Sequence, residues 1–172
     1  LVVDGGDCNV GIESTVVDAT GEFPRILRPG MIDAPAIFAA AGLGLPPTPE
    51  PALSTGPLRS PGLLAKHYSP RAHLAVCAWK DDPDLERQMA SLGARPDRTF
   101  VLAHTHLPHS LPPSQVILIP DDAEAFARAL YAQLHQCDDA GAEWILVEEL
   151  PDSPSWAGLA DRLRRASVSS AG

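Results

Sequence analysis

Short apolar runs alternate with longer amphipathic stretches over the last hundred residues of the sequence. Apolar residues dominate 73–79, 99–103, 115–119 and 143–148, which predicts four strands. After these runs, apolar residues recur every three or four positions, which predicts helices. Because strands alternate with helices, we expect an α/β fold, with a small, mostly parallel sheet and helices on both of its faces.

Aspartate and proline mark where the helices begin. Asp82 is the predicted N-cap of the first helix, with Pro83 at its first position. Asp121 and Glu124, three residues apart, form a predicted capping box for the second helix. The predicted apolar stripes of the three helices are Leu85, Met89 and Leu92; Phe126, Ala127, Leu130, Leu134 and Cys137; and Trp156, Leu159, Leu163 and Ala166.

Residues 1–42 differ in character, with strand-like runs separated by glycine turns. The runs are 1–3, 14–19 and 25–28, and an apolar helix from about Asp33 to Ala41 ends at Gly42. So few elements bury little apolar area by themselves. The sequence also opens on Leu1 within a strand-like run. We therefore expect a C-terminal piece of a longer protein, in which residues 1–42 pack on partners that this sequence does not contain.

A proline-rich stretch follows, with six prolines between residues 43 and 62. Proline fixes φ and removes a hydrogen-bond donor, so we expect a semi-rigid linker over 43–71 and a separate α/β domain over 72–172. The linker ends with SPGLLAKHYSP at 60–70, which places Lys66, His67 and Tyr68 in succession. These groups can bind phosphate, share a proton and stack on a base. The pattern indicates an arm that reaches over a neighbouring active site.

Composition narrows the class of protein. The 172 residues are 45% hydrophobic, and the formal net charge of −9 argues against a general nucleic-acid-binding surface. The sequence shows no run of about 20 apolar residues and no signal-peptide pattern, so we expect a cytoplasmic protein. Cys8, Cys77 and Cys137 are far apart and form no CxxC pair. We expect reduced core cysteines and no bound metal.

Two candidate binding residues lie within residues 1–42, and each could instead have a purely structural role. Ser14, in the segment 11–18, can hydrogen-bond a small polar substrate, or it can satisfy turn backbone groups together with Thr15. Arg28 ends a strand and can meet a phosphate with its planar fork. It can equally be a surface arginine paired with Glu22 or Asp33. Spacing alone favours the turn role for Ser14, whereas for Arg28 it leaves the two alternatives about even.

The α/β region offers weaker candidates. His104, His106 and His109 suit a zinc-dependent hydrolase, but the same loop holds no carboxylate or cysteine, so solvated histidines are the favoured reading. Trp79, Trp144 and Trp156 are expected in the core. Arg162, Arg164 and Arg165 lie near the end of the last predicted helix, where its dipole favours cations. These arginines could also form a local basic patch. An alternative function is therefore a non-catalytic nucleotide- or RNA-binding regulatory module of the translation apparatus.

Four segments, taken in order, resemble a known family. They are Asp4-Gly5-Gly6, the segment from Gly11 to Asp18, Ile26-Leu27-Arg28-Pro29-Gly30 and the segment from Ser60 to Pro70. The chain resembles the C-terminal portion of the long, two-domain threonylcarbamoyl-AMP synthase. The resemblance implies that residues 1–42 are the incomplete C-terminal end of an α+β, YrdC-like catalytic domain, and that residues 72–172 are the Rossmann-like C-terminal domain. The close of the chain, from Trp144 to Glu148 and from Asp161 to Ala166, is also similar.

The resemblance implies a reaction and a site. It implies a nucleotidyltransferase that joins L-threonine, bicarbonate and ATP, with Mg²⁺ accompanying the ATP, and a product passed to a tRNA-modifying transferase that acts beside the anticodon. It implies that Ser14 binds L-threonine, and that Arg28, Lys66, His67 and Tyr68 bind the nucleotide. It also implies that the missing N-terminal half of the same protein is a partner.

Three features depart from the family's pattern. Ala65 stands where the family commonly has tyrosine, so adenine stacking is lost or passes to Tyr68. Asp161 stands where the family often has an amide. The family's lysine- and arginine-bearing motif lies upstream of Leu1, so we expect this chain alone to make no threonylcarbamoyl-AMP.

Overall fold

A computed structural model describes residues 11–12, 14–21, 23–44 and 69–167. In the first part, strands β1 (Val16–Asp18) and β2 (Arg25–Arg28) pair antiparallel and are followed by helix α1 (Ala34–Ala40). The second part contains β3 (His73–Cys77), α2 (Asp82–Leu92), β4 (Thr99–Ala103), β5 (Val116–Leu118), α3 (Ala123–Asp139), β6 (Trp144–Glu148) and α4 (Ala157–Ala166). No helix among the described residues is long and apolar enough to cross a membrane.

The larger sheet has four parallel strands in the order β3-β6-β4-β5. Side chains alternate between its two faces, as the period of a strand requires. Val101 and Leu146 face one side and pack with Leu85 and Met89 of α2. The other side packs against α3 and α4 through the residues Leu74, Leu102, Ile145 and Val147. The predicted α/β fold with helices on both faces is therefore confirmed.

Several predicted boundaries were wrong by one residue. Helix α2 begins after Asp81, whose carboxylate accepts the Asp84 amide at 2.9 Å, because Asp82 instead accepts the His109 amide. Helix α3 is capped by Asp122, which accepts the Ala125 amide at 2.8 Å. The predicted capping box of Asp121 and Glu124 is therefore wrong. Strand β5 is also shorter than predicted, since Gln115 lies in a 3-10 turn before it.

The core contains most of the residues that the apolar pattern selected. Cys77 and Cys137 are buried free thiols, and burial raises the pKa of Cys137 to about 12. Trp79 and Trp156 are buried, whereas Trp144 is half-buried. Cys8 lies outside the described residues.

One residue from the first part of the chain also belongs to the core of the second. Ile12 is 5% exposed and packs within the cluster formed by α3, α4 and the sheet, and Met31 contacts the same cluster. The two parts therefore share apolar packing.

The N-terminal end of β3 is fastened to α3 by Asp138. Its side chain, 6% exposed, accepts the backbone amides of Arg71 and Ala72 at 2.9 and 3.0 Å. We expect Asp138→Ala to lower the free energy of unfolding by about 1–3 kcal/mol, because it leaves these two donors without their acceptor. Urea denaturation measures the change. Asp139→Ala is the matched control, since Asp139 is 81% exposed and contacts the exposed Arg71 side chain; an equal loss in both variants would contradict the role of Asp138.

Candidate functional site

The two candidate binding residues of the first part lie together. Arg28, the last residue of β2, donates from Nη2 to the backbone oxygen of Ser14 at 3.1 Å. The antiparallel register places Arg28 opposite Val16, two residues after Ser14, which accounts for the contact. The Ser14 side chain is exposed, and Arg28 is half-buried. A hydroxyl and a guanidinium therefore stand at one end of the small antiparallel sheet.

The hydroxyl of Thr15, the residue after Ser14, bonds to the backbone. Thr15 donates to the backbone oxygen of Ile32 at 2.6 Å, so this side chain satisfies the backbone. Asp33, a suggested ion-pair partner of Arg28, caps α1 by accepting the Ala36 amide at 2.9 Å. The other suggested partner, Glu22, lies outside the described residues, as do Lys66, His67 and Tyr68.

The arginines near the end of the chain surround one carboxylate. Asp161, 8% exposed as a side chain, accepts from Arg162, Arg164 and Arg165 at 3.2, 2.6 and 2.8 Å. Burial raises the pKa of Asp161, but Arg165 and Arg164 outweigh it, and the net direction is down. Of the three arginines, Arg162 and Arg165 are largely buried, whereas Arg164 is 72% exposed. The predicted basic patch is therefore mostly an internal ion-pair network.

The histidine loop meets carboxylates from other elements, which the sequence did not predict. Glu148, at the end of β6, accepts the backbone amides of His104, Thr105 and His106 at 2.7, 2.9 and 3.1 Å. It also contacts the Thr105 hydroxyl and Nδ1 of His106. Burial acts to raise the pKa of Glu148, but the hydrogen bonds from Thr105, His104 and His106 lower it to about 2.

The imidazole rings of His104 and His106 hydrogen-bond different carboxylates, those of Asp121 and Glu148. His104 is buried, with Nδ1 at 3.0 Å from Asp121 Oδ1 and Nε2 at 3.0 Å from the backbone oxygen of Glu149. The His109 amide donates to Asp82. Within the described part of the chain, no group of three or more histidine, cysteine, aspartate or glutamate side chains is arranged to hold a metal ion. The contacts of this loop are structural: Glu148 acts as a staple that holds the loop after β4 to the end of β6.

A cavity of about 540 Å³ lies between β3, the segment after β6 and α4. Its lining includes the carboxylates of Glu149 and Asp152, together with Arg164, which is bonded to Asp161. Two carboxylates repel the phosphates of a nucleotide. The lining of this cavity therefore does not favour nucleotide binding there.

Comparison with known proteins identifies what the chain resembles. Residues 32–168 match the family model of the threonylcarbamoyl-AMP synthase C-terminal domain. Threonylcarbamoyl-AMP synthases of Pyrococcus abyssi and Bacillus subtilis are each 28% identical, over 170 and 173 residues, which is 96% of this chain and 48% of each relative. The protein of Schizosaccharomyces pombe is 26% identical over 181 residues, covering 96% of this chain and 44% of that relative. The chain thus spans about half the length of the curated relatives it matches.

Solved structures agree with this likeness. The crystal structure of P. abyssi Sua5 complexed with L-threonine is 28% identical with a TM-score of 0.72, over 95% of this chain and 48% of that one. A variant of the same archaeal protein, with a histidine and the next residue, a tyrosine, changed to alanine, gives 25% identity and a TM-score of 0.64 over 95% of this chain and 45% of that one. The family match covers more than half of the sequence, and the chain belongs to the threonylcarbamoyl-AMP synthase C-terminal domain family.

Proposed function

We propose that this chain is part of an L-threonylcarbamoyladenylate synthase, a cytoplasmic nucleotidyltransferase. The substrates are L-threonine, bicarbonate and ATP with Mg²⁺, and the products are threonylcarbamoyl-AMP and pyrophosphate. The product serves a tRNA-modifying transferase. The observation that carries the proposal is the family match over residues 32–168, and the archaeal relative solved with L-threonine supports the choice of amino acid.

Ser14 and Arg28 supply the proposed chemistry within this chain. The threonine amine first adds to bicarbonate with loss of water, and an oxygen of the resulting carbamate attacks the α-phosphate while pyrophosphate leaves. Negative charge develops on the leaving phosphates, so a guanidinium in place lowers the barrier. We assign that role to Arg28 and assign threonine binding to the Ser14 hydroxyl. Their proximity through the Ser14 backbone oxygen supports a single pocket for both substrates.

The proline-rich arm is the proposed cover of that pocket. His67 and Tyr68 form the only adjacent histidine–tyrosine pair in the sequence, and the solved variant of the archaeal relative changes such a pair. We propose that Lys66, His67 and Tyr68 close over the nucleotide and keep water from a labile intermediate. Tyr68 takes the adenine stacking that Ala65 cannot provide. Asp138, which holds the residues after the arm, makes the α/β part its anchor.

Pyrophosphate release by the complete gene product that carries this sequence tests the proposal. We expect release only when L-threonine, bicarbonate and ATP are all present, and loss of release when any one is omitted. Mass spectrometry should detect threonylcarbamoyl-AMP in the complete mixture alone. Equal pyrophosphate release without threonine would overturn the proposed function.

The 172-residue chain assayed separately has a different expected result. It corresponds to about half the length of its curated relatives, and it holds lysine only at Lys66 and Lys80. We expect no turnover from it under the same conditions, and clear turnover would refute that expectation.

A further inference from the structure

Helix α4 touches the residue that directly follows Arg28. Arg162, on α4, donates from Nη1 to the backbone oxygen of Pro29 at 3.0 Å. Arg162 is 7% exposed, so this hydrogen bond is largely shielded from water. A charge-assisted bond in such a place is stronger and more directional than one at the surface.

The same face of α4 contacts the next residue as well. Gly158 lies four residues before Arg162, one helical turn away. A Cβ added to Gly158 would lie 2.8 Å from the Gly30 oxygen and 2.8 Å from Ile12 Cδ1. Only glycine permits this approach of helix to backbone. Gly158 and Arg162 therefore hold two consecutive residues, Pro29 and Gly30, against α4.

Asp161 fixes the guanidinium that makes this contact. Its Oδ2 atom accepts from Arg162 Nη1 at 3.2 Å and from Arg165 Nε at 2.8 Å. An arginine held by a buried carboxylate loses much of its rotamer freedom before it binds anything else. The network thus presents one N–H at a defined position to the Pro29 oxygen.

We propose that Arg162 is a positioning residue, which fixes the Pro29 carbonyl and through it the direction of the Arg28 side chain toward the nucleotide. This inference rests on the proposed function, in which Arg28 binds the nucleotide. The peptide bond between Arg28 and Pro29 is planar and the proline ring fixes φ at Pro29, so a displacement of the Pro29 carbonyl carbon is passed on to the end of β2. The α/β part of the chain then sets nucleotide affinity without touching the nucleotide.

Arg162→Met in the complete gene product tests this role through the separate KM values. We expect the KM for ATP to rise about five- to tenfold, which corresponds to about 1 kcal/mol, with the KM for threonine changing less than about twofold. Arg164→Met is the matched control, because it removes the same charge and another bond to Asp161 from an exposed side chain that does not contact Pro29. We expect the control to leave both KM values within about twofold of wild type.

Hydrogen–deuterium exchange gives a readout that does not depend on activity. In the complete gene product, Arg162→Met should speed exchange in peptides covering 25–32, whereas Arg164→Met should not. If Arg162→Met does not fold, Arg162→Lys takes its place in the test, because it keeps a charged donor. It should show a smaller rise in the KM for ATP and a smaller increase in exchange over 25–32. The positioning role would be overturned if the wild type is active and the Arg162→Met and Arg164→Met variants have the same KM for ATP and the same exchange pattern. Absence of synthase activity in the wild type, with exchange still specific to Arg162, would overturn the proposed function and leave the contact standing.

Discussion

Glu148→Ala is expected to lower the free energy of unfolding by about 3 kcal/mol or more, the largest stability loss we predict for a single side chain here. Glu148 is 4% exposed at the end of the central strand β6. Its carboxylate accepts three successive backbone amides, from His104 to His106. Alanine leaves these donors without an acceptor where β4 turns into its loop. Urea denaturation measures the loss.

Glu149→Ala is the matched control, because Glu149 is the next residue and its side chain is exposed. We expect it to change the free energy of unfolding by less than about 0.5 kcal/mol. Glu148→Gln should fall between the two, since an amide keeps one acceptor oxygen and loses the charge. Equal stability of the two alanine variants would show that Glu148 is not the staple of this loop.

The depressed pKa of Glu148 adds a pH dependence to the same comparison. The folded-state pKa is about 2, below the ordinary value of about 4.3 in an unfolded chain. Between about pH 2 and pH 5 the folded state therefore binds fewer protons than the unfolded state. The free energy of unfolding consequently falls as the pH falls through this range. The advantage of wild type over Glu148→Gln should be full above about pH 5 and shrink steadily toward pH 2. A constant difference across that range would contradict the charged state of Glu148.

Periodicity predicted the fold well because burial imposes it along each element. The stripe from Phe126 to Cys137 gave α3, and the run 99–103 gave β4, since one face of each must meet the core. The starts of α2 and α3 were harder to predict, because each offers two adjacent aspartates: Asp81 and Asp82 for α2, and Asp121 and Asp122 for α3. Either can cap in isolation. The tertiary partners His109 and His104 take Asp82 and Asp121, which leaves Asp81 and Asp122 as the caps.

Contacts between distant parts of the chain could not be predicted from spacing. The bond from Arg162 to Pro29 joins residues 133 positions apart, and the contact from Glu148 to His104 spans 44. Local pairing was open to prediction, because Arg164 and Arg165 stand three and four residues after Asp161 on one helix face. We instead attributed these arginines to the helix dipole. A buried carboxylate among arginines was the better reading of the pattern.

Arg28→Met is expected to lower kcat/KM for ATP by about 100-fold or more in the complete gene product, provided that the proposed function holds. Methionine keeps the length and apolar stem of the side chain but removes the charge that faces the leaving phosphates. It also removes the bond to the Ser14 oxygen. Initial rates of pyrophosphate release at varied ATP, with threonine and bicarbonate saturating, measure the effect. Arg28→Lys should recover part of the loss, because it restores the charge without the fork.

Arg25→Met is the control for this prediction. Arg25 starts the strand that Arg28 ends, and its Nη2 lies 3.4 Å from Asp18 Oδ2. We expect less than about a twofold change in kcat/KM from it, because Arg25 pairs with Asp18, whereas Arg28 contacts Ser14. Ser14→Ala should differ from both by raising the KM for threonine more than that for ATP. Nucleotide binding by Arg28 is refuted if Arg28→Met and Arg25→Met lose the same small amount of activity, because the charge of Arg28 then has no special place in the reaction.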